Sequence, residues 1–166
     1  MLPDVLENGL TIVFCGTAAG DTSAKLQMYY AGSGNRFWRV LSEVGLTPTI
    51  LAPREYADLP KYGIGLTDLV KQASGMDNQI DFKNKDFEPL REKIIRFEPE
   101  ILCFNGKRAA QELLSRSVGY GIPSEQIGTT RLFVVPSTSG AANGFWDVKW
   151  WFELATISKT ETEGGK

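Results

Sequence analysis

Apolar residues in this chain fall into four short, dense runs separated by longer stretches with helical spacing. The runs at 10–15 (LTIVFC), 62–67 (YGIGLT), 100–105 (EILCFN) and 131–136 (RLFVVP) are too short for ordinary helices. Their nearly continuous apolar character predicts strands covered on both faces. Between them, residues 35–44 place Phe37, Val40, Leu41 and Val44 at helical spacing, with Gly45 as a stop. Further helices are expected over 87–97, with Pro99 just beyond, and over 106–115 and 143–155. Strands alternating with helices imply one α/β domain, a three-layer α/β/α arrangement around a mainly parallel sheet of four to five strands. The domain is expected over residues 1–157, with a polar surface loop at 73–85 and a disordered tail at 158–166 (SKTETEGGK).

Composition narrows the chemistry. At 166 residues the chain can bury about two thirds of its unfolded surface in a single core. It contains no histidine, which removes Ser-His-Asp and Cys-His hydrolase mechanisms, so any general base must be Asp, Glu, Lys or Tyr. The two cysteines, Cys15 and Cys103, lie inside apolar runs and read as buried small hydrophobes. With 18 basic and 20 acidic side chains the formal charge is −2, so contact with a nucleic acid would rest on a local patch. No apolar run approaches the ~20 residues that span a bilayer, and the N-terminus lacks a signal-peptide pattern. A cytoplasmic monomer is expected, nucleoid-associated in a bacterial cell.

Three of the strands end in turns that a parallel sheet would bring to one edge. The first runs into Gly16-Thr17-Ala18-Ala19-Gly20, whose small residues expose backbone N–H groups where open α/β folds bind ligands. Tyr29 and Tyr30 follow, and together offer a flat stacking surface for a planar group with acceptor oxygens. The second turn places Lys107 and Arg108 at a helix start, either against a phosphate or as two solvated charges. The third, Ser137-Thr138-Ser139-Gly140, can donate to a nucleic-acid backbone or serve as an ordinary turn.

Five stretches in this order resemble the mismatch-specific uracil/thymine-DNA glycosylases, the MUG/TDG branch of the uracil-DNA glycosylase superfamily. They are FCGTAAG at 14–20, AxxxNRFW at 31–38, YGIGLTDLV at 62–70, PEILCFNGKRA at 99–109 and VVPSTSG at 134–140. The resemblance runs from about Leu6 to Leu154. It implies a first loop whose amides contact a flipped base and whose asparagine positions the attacking water. It also implies a second loop that grips DNA and wedges a side chain into the vacated stack. Gly16 and Gly20 match the first loop's glycines, with Thr17 and Ala18 between them, and Tyr30 falls where an aromatic ring meets the base. Pro136, Ser137, Ser139 and Gly140 match the second loop, and Ser23, Lys107 and Asn143 join them as expected DNA contacts. Two positions depart from the pattern: Ala18 stands where the water-positioning asparagine is usual, and Ala141 where the wedge is bulkier.

The activity implied is that of a monofunctional DNA glycosylase that flips uracil out of DNA and hydrolyses its glycosidic bond, with no metal or cofactor. U:G mismatches are the expected substrates, with single strands and other deaminated bases beside them. Breaking this bond needs negative charge or a polar group near C1′ and donors at the base oxygens. Asp68, a carboxylate in apolar surroundings at a strand end, is the expected replacement for the missing asparagine; the other reading is a helix N-cap. Asp21 is the rival carboxylate, or a cap for the segment that follows it. Phe37 and Trp38, and Trp146, Trp150, Trp151 and Phe152, read as core. Two other readings remain: a uracil or abasic-DNA binder without activity, supported by Ala18, and a nucleotide-binding or hydrolase domain using the glycine loop. GTAAG lacks the lysine and spacing of the phosphate-loop signatures that the last would need.

Overall fold

A computed structural model describes residues 2–71 and 87–164. The surface loop expected at 73–85 lies outside the described residues. Five strands form one sheet: β1 (Ile12–Gly16), β2 (Ile64–Asp68), β3 (Ile101–Asn105), β4 (Gln126–Ile127) and β5 (Thr130–Val135). Their order is β2-β1-β3-β5-β4, all pairs parallel except β4 against β5. Flanking them are the helices α1 (Asp21–Leu26), α2 (Phe37–Glu43), α3 (Glu88–Phe97), α4 (Lys107–Leu114) and α5 (Lys149–Gly164). The expected α/β sandwich and its mainly parallel sheet are therefore what the chain forms.

The period-two alternation of strands distributes the side chains between two layers. Ile12 and Phe14 of β1, with Ile101 and Cys103 of β3, pack against Phe37 and Leu41 of α2 and Trp151 of α5. Phe14 sits between Phe37, edge-on at 5.2 Å, and Trp151, stacked at 5.5 Å. Val13, Cys15, Leu102 and Phe104 turn the other way, onto Leu90 and Ile94 of α3 and Ala109 and Leu113 of α4. The strands β1, β2 and β3 are buried along their whole length on both faces, which is why their apolar runs are continuous rather than alternating.

Several elements differ from expectation. The segment Pro53–Tyr62 forms a 3-10 stretch, opened by Glu55 Oε1 accepting from the Ala52 amide at 2.9 Å. The helix expected over 143–155 begins later: Gly140–Phe145 is a 3-10 turn, and α5 starts at Lys149, whose amide donates to Asp147 Oδ1 at 3.1 Å. It also ends later. Ser158 is buried and donates to the Ala155 carbonyl at 2.9 Å, so this residue belongs to the packed helix rather than to a tail. Phe152, expected in the core, is 45% exposed on α5, whereas Trp151 beside it is fully buried. No described helix is long and apolar enough to cross a membrane.

Candidate nucleic-acid interface

Strand order reverses between β1 and β3, since the chain leaves β1 for β2 on one side and returns to β3 on the other. Ligands of open α/β sheets bind outside the carboxyl ends of the strands at such a switch point. A cleft of 690 Å³ lies there. Its floor carries Gly16, Asp68 and Asn105, the last residues of β1, β2 and β3. Its walls are the Thr17–Ser23 stretch, Tyr29 and Tyr30, the start of α4, and the Ser137–Ala142 turn.

The first loop is latched to the end of β2. Leu69 N donates to the Gly16 carbonyl and Val70 N to the Thr17 carbonyl, both at 2.8 Å, extending the parallel pairing past the last strand residue. In register, Gly16 faces Asp68. A β-carbon on Gly16 would stand 3.1 Å from Asp68 Oδ1 and 3.5 Å from the Tyr30 hydroxyl, so only glycine gives the loop this close approach. Gly20 precedes α1, and Asp21 occupies its first turn with its carboxylate exposed at the cleft wall.

Asp68 is only 5% exposed. Its Oδ2 accepts from Lys71 Nζ at 3.3 Å, while Oδ1 is the oxygen facing Gly16. Burial pushes its carboxyl above the ordinary carboxylate value, and the Lys71 ammonium acts against that rise. Asp68 caps no helix among the described residues; it closes a strand. The two candidate carboxylates thus occupy opposite environments, Asp68 buried and tethered, Asp21 exposed.

Tyr30 takes a left-handed backbone conformation, φ 51°, that turns its side chain onto α2. Its ring stacks on Phe37 at 4.1 Å, and its hydroxyl is buried without a hydrogen-bond partner among the described residues. Burial first, and the Asp68 charge second, push this phenol well above its normal range, so it remains a protonated donor. The flat platform expected from the two tyrosines does not form. Tyr29 is buried, tilted 43° from Tyr30, and its hydroxyl donates to the Pro3 carbonyl at 3.0 Å while accepting from Lys71 at 2.7 Å.

The turn after β5 is held from β3. Asn105 Nδ2 donates to Thr138 Oγ1 at 2.9 Å, and Thr138 N donates to Asn105 Oδ1 at 3.0 Å, both buried. Ser137 Oγ accepts from Ser139 N, and Ser139 Oγ from Ala141 N, at 3.2 and 3.3 Å. Each hydroxyl keeps its own hydrogen to donate. Gly106, at φ +104°, lets α4 start against Ser137, whose β-carbon would be 3.1 Å from a side chain there. Lys107 is exposed, with Nζ over the Tyr120 ring at 4.4 Å.

Almost every residue singled out from the sequence therefore lines one cleft: Gly16, Thr17, Ala18, Gly20 and Tyr30 on one wall; Ser137, Ser139, Gly140 and Ala141 on the other; Asp68, Asp21 and Lys107 between. Ser23 lines it too, but its Oγ is engaged by Ala31 N at 2.9 Å. Pro136 and Asn143 are the exceptions and stand outside the cleft lining. Asn143 is taken up elsewhere, its Oδ1 accepting from Arg36 Nη1.

The model of the uracil DNA glycosylase superfamily matches residues 3–156. The chain belongs to the uracil DNA glycosylase superfamily. Among solved structures it is similar to "Solution NMR Structure of a putative Uracil DNA glycosylase from Methanosarcina acetivorans", at a TM-score of 0.62 and 24% identity. That match covers 96% of this chain and 95% of the other, so the fold is shared over its full length. Members of this superfamily are DNA glycosylases, hydrolases of the N-glycosidic bond. Four residues of this glycosylase domain escaped the sequence reading. Lys71 and Asp4 form an ion cluster behind Asp68, and Asn105 clamps the second loop. Phe145, at 73% exposure, stands at the cleft with no apolar cover. Lys71 follows directly on the GLTDLV motif, and Phe145 is an aromatic in a glycine-rich turn. Those were the available signals.

Proposed function

We propose that this protein is a monofunctional uracil-DNA glycosylase of the mismatch-specific branch, acting as a monomer on U:G mismatches and on uracil in single strands. The observation that carries the reading is Asp68: one carboxylate oxygen tethered by Lys71, the other turned to the Gly16 loop in the cleft. A flipped uracil in this cleft would set its C1′ beside that oxygen. Water adds to C1′ as the glycosidic bond breaks, and the bonding electrons leave on uracil N1. The carboxylate offsets the positive charge developing on the sugar and accepts a proton from the water. Negative charge growing on the base oxygens is met by loop amides and by the Tyr30 hydroxyl, a donor that meets no acceptor among the described residues. The products are free uracil and an abasic site.

The second loop supplies the grip. Ser137 and Ser139 retain hydroxyl hydrogens for phosphate oxygens, and Lys107 adds a cation at the rim. Ala141 is too short to fill a vacated base stack. Phe145, the most exposed large apolar side chain among the described residues, sits on the same turn and takes that place.

Release of free uracil from a labelled oligonucleotide tests the reading. Wild type is expected to release it from U:G duplexes and single strands, and Asp68→Ala to lose most of that activity. A wild type that releases no base sinks the enzyme reading, and a fully active variant removes Asp68 from the reaction. One observation favours a second reading, of a uracil- or abasic-DNA binder: Ala18 puts a methyl group where the branch has a water-positioning amide. Such a protein would shift uracil-containing DNA in a gel and release nothing.

A further inference from the structure

Behind the cleft floor Asp68 belongs to a charge cluster whose other members make no contact with the reacting groups in the reaction described above. Lys71 Nζ has three acceptors for its three hydrogens: Asp4 Oδ1 at 2.9 Å, Tyr29 OH at 2.7 Å and Asp68 Oδ2 at 3.3 Å. The ammonium is saturated and only 16% exposed, so its position is fixed from three directions. Asp4 is in turn held by Thr67 Oγ1 at 2.7 Å and by Lys93 Nζ of α3 at 2.6 Å. Burial opposes ionisation at Asp4, but the bonds from Lys93, Lys71 and Thr67 outweigh it and keep its carboxyl below the usual value. The segment carrying Asp4 is anchored on β2, where Val5 and Leu66 exchange backbone hydrogen bonds at 2.8 and 2.9 Å.

We infer that Lys71 and Asp4 are positioning residues for the glycosylase reaction, clamping one Asp68 oxygen so that the other is presented to the cleft. The inference rests on the role proposed for Asp68. The charges support it: two carboxylates and two ammonium groups balance when Asp68 is ionised, so the cluster favours its charged form against the cost of burial. Lys71 works directly on Asp68. Asp4 shares the same ammonium and so limits how strongly Lys71 draws the Asp68 charge. Among the described residues, the other titratable groups facing Asp68 are Lys93 from α3, Tyr29 and Tyr30 from the turn before α2, and Cys15 from β1; the two phenols and the thiol are held protonated by burial.

The two residues should therefore move the acid limb of activity in opposite directions. Lys71→Met removes the cation beside Asp68 and is expected to shift the limb up by about one pH unit. Asp4→Asn frees Lys71 to pair with Asp68 alone and is expected to shift the limb to lower pH. The measurement is single-turnover uracil release against pH for both variants, with carbon-detected NMR titration of the Asp68 carboxyl as a readout independent of activity. Asp4→Asn is isosteric and keeps an acceptor for Thr67, so the sign of its shift tests the cluster even where Lys71→Met does not fold. Coincident limbs and unchanged titration overturn the inference while leaving the glycosylase reading intact. A wild type without uracil release overturns that reading instead, and the NMR titration then still reports whether Lys71 and Asp4 govern Asp68.

Discussion

Gly16 and Asp68 are register partners across the β1–β2 pair, and the hydrogen that glycine carries in place of a β-carbon is what lets the carboxylate reach the first loop. A methyl group there would press on Asp68 Oδ1 at 3.1 Å. The backbone of Gly16 is ordinary strand, so Gly16→Ala should fold and melt within a few degrees of wild type. Uracil release should nevertheless fall roughly tenfold or more, because the carboxylate must give by tenths of an ångström at the reacting centre. Thermal melts and single-turnover rates on the same preparation check this. An unimpaired rate would mean that Asp68 does not act from its observed position.

Asp68→Asn separates activity from stability. Burial holds the Asp68 carboxyl above its ordinary value, so ionising it costs more in the folded protein than in the unfolded chain. The stability this group contributes is present below the ordinary carboxylate range and is lost as pH rises through the folded pKa. An amide is neutral throughout. The variant should therefore melt no lower than wild type at pH 7, with its advantage shrinking as pH falls, while uracil release drops roughly a hundredfold. A variant that melts clearly lower at pH 7 would contradict the sign of this argument.

The strands and the cleft loops were legible because their signals are local. A β-branched run such as Thr11-Ile12-Val13 identifies a buried strand wherever it lies, and a glycine-rich turn after it marks the sheet edge. The ion cluster behind the floor was not legible, because it is made by topology. Asp4 meets Thr67 across 63 residues and Lys93 across 89, contacts that exist only once β2 pairs with the N-terminal segment and α3 packs beneath it. The same applies to Tyr29 and Tyr30. Their adjacency suggested a shared surface, but successive side chains diverge, and one ring went to the ion cluster while the other went to Phe37.

Asn105 is the joint between β3 and the second loop. Asn105→Ala would leave the buried Thr138 amide and hydroxyl without partners, at a cost of about 1–3 kcal/mol. The loop that carries Ser137 and Ser139 should loosen with it. Denaturant unfolding should register the loss, and affinity for uracil-containing duplex should fall more than the rate at saturating DNA. Equal losses in both would place Asn105 in contact with the reacting base instead.

Phe145 should matter to DNA and hardly at all to folding. At 73% exposure it contributes little to the core, so Phe145→Ala should leave the melting temperature unchanged. If the ring fills the space vacated by a flipped base, its removal should weaken binding to abasic duplex by about tenfold and slow excision from duplex more than from single strands. Comparing the two substrates side by side gives the answer. Equal slowing on both would place Phe145 outside the stack.

Ala18 allows the sharpest question about how the water is handled. It lines the cleft between Gly16 and Gly20, and its methyl packs partly against the core layer that contains Cys15 and Leu69. If Asp68 has taken over the work of the missing amide, Ala18→Asn should add a second way to hold the water, and uracil release should rise. In an Asp68→Asn background the same change should restore part of the lost activity, because the amide then has no carboxylate to duplicate. The two substitutions should thus be non-additive, as expected for residues serving one step. A double variant as inactive as Asp68→Asn alone, in a protein that still binds uracil DNA, would show that Ala18 and Asp68 do not address the same water. The carboxylate would then act on the sugar cation alone, and the attacking water would have to be ordered by the loop amides.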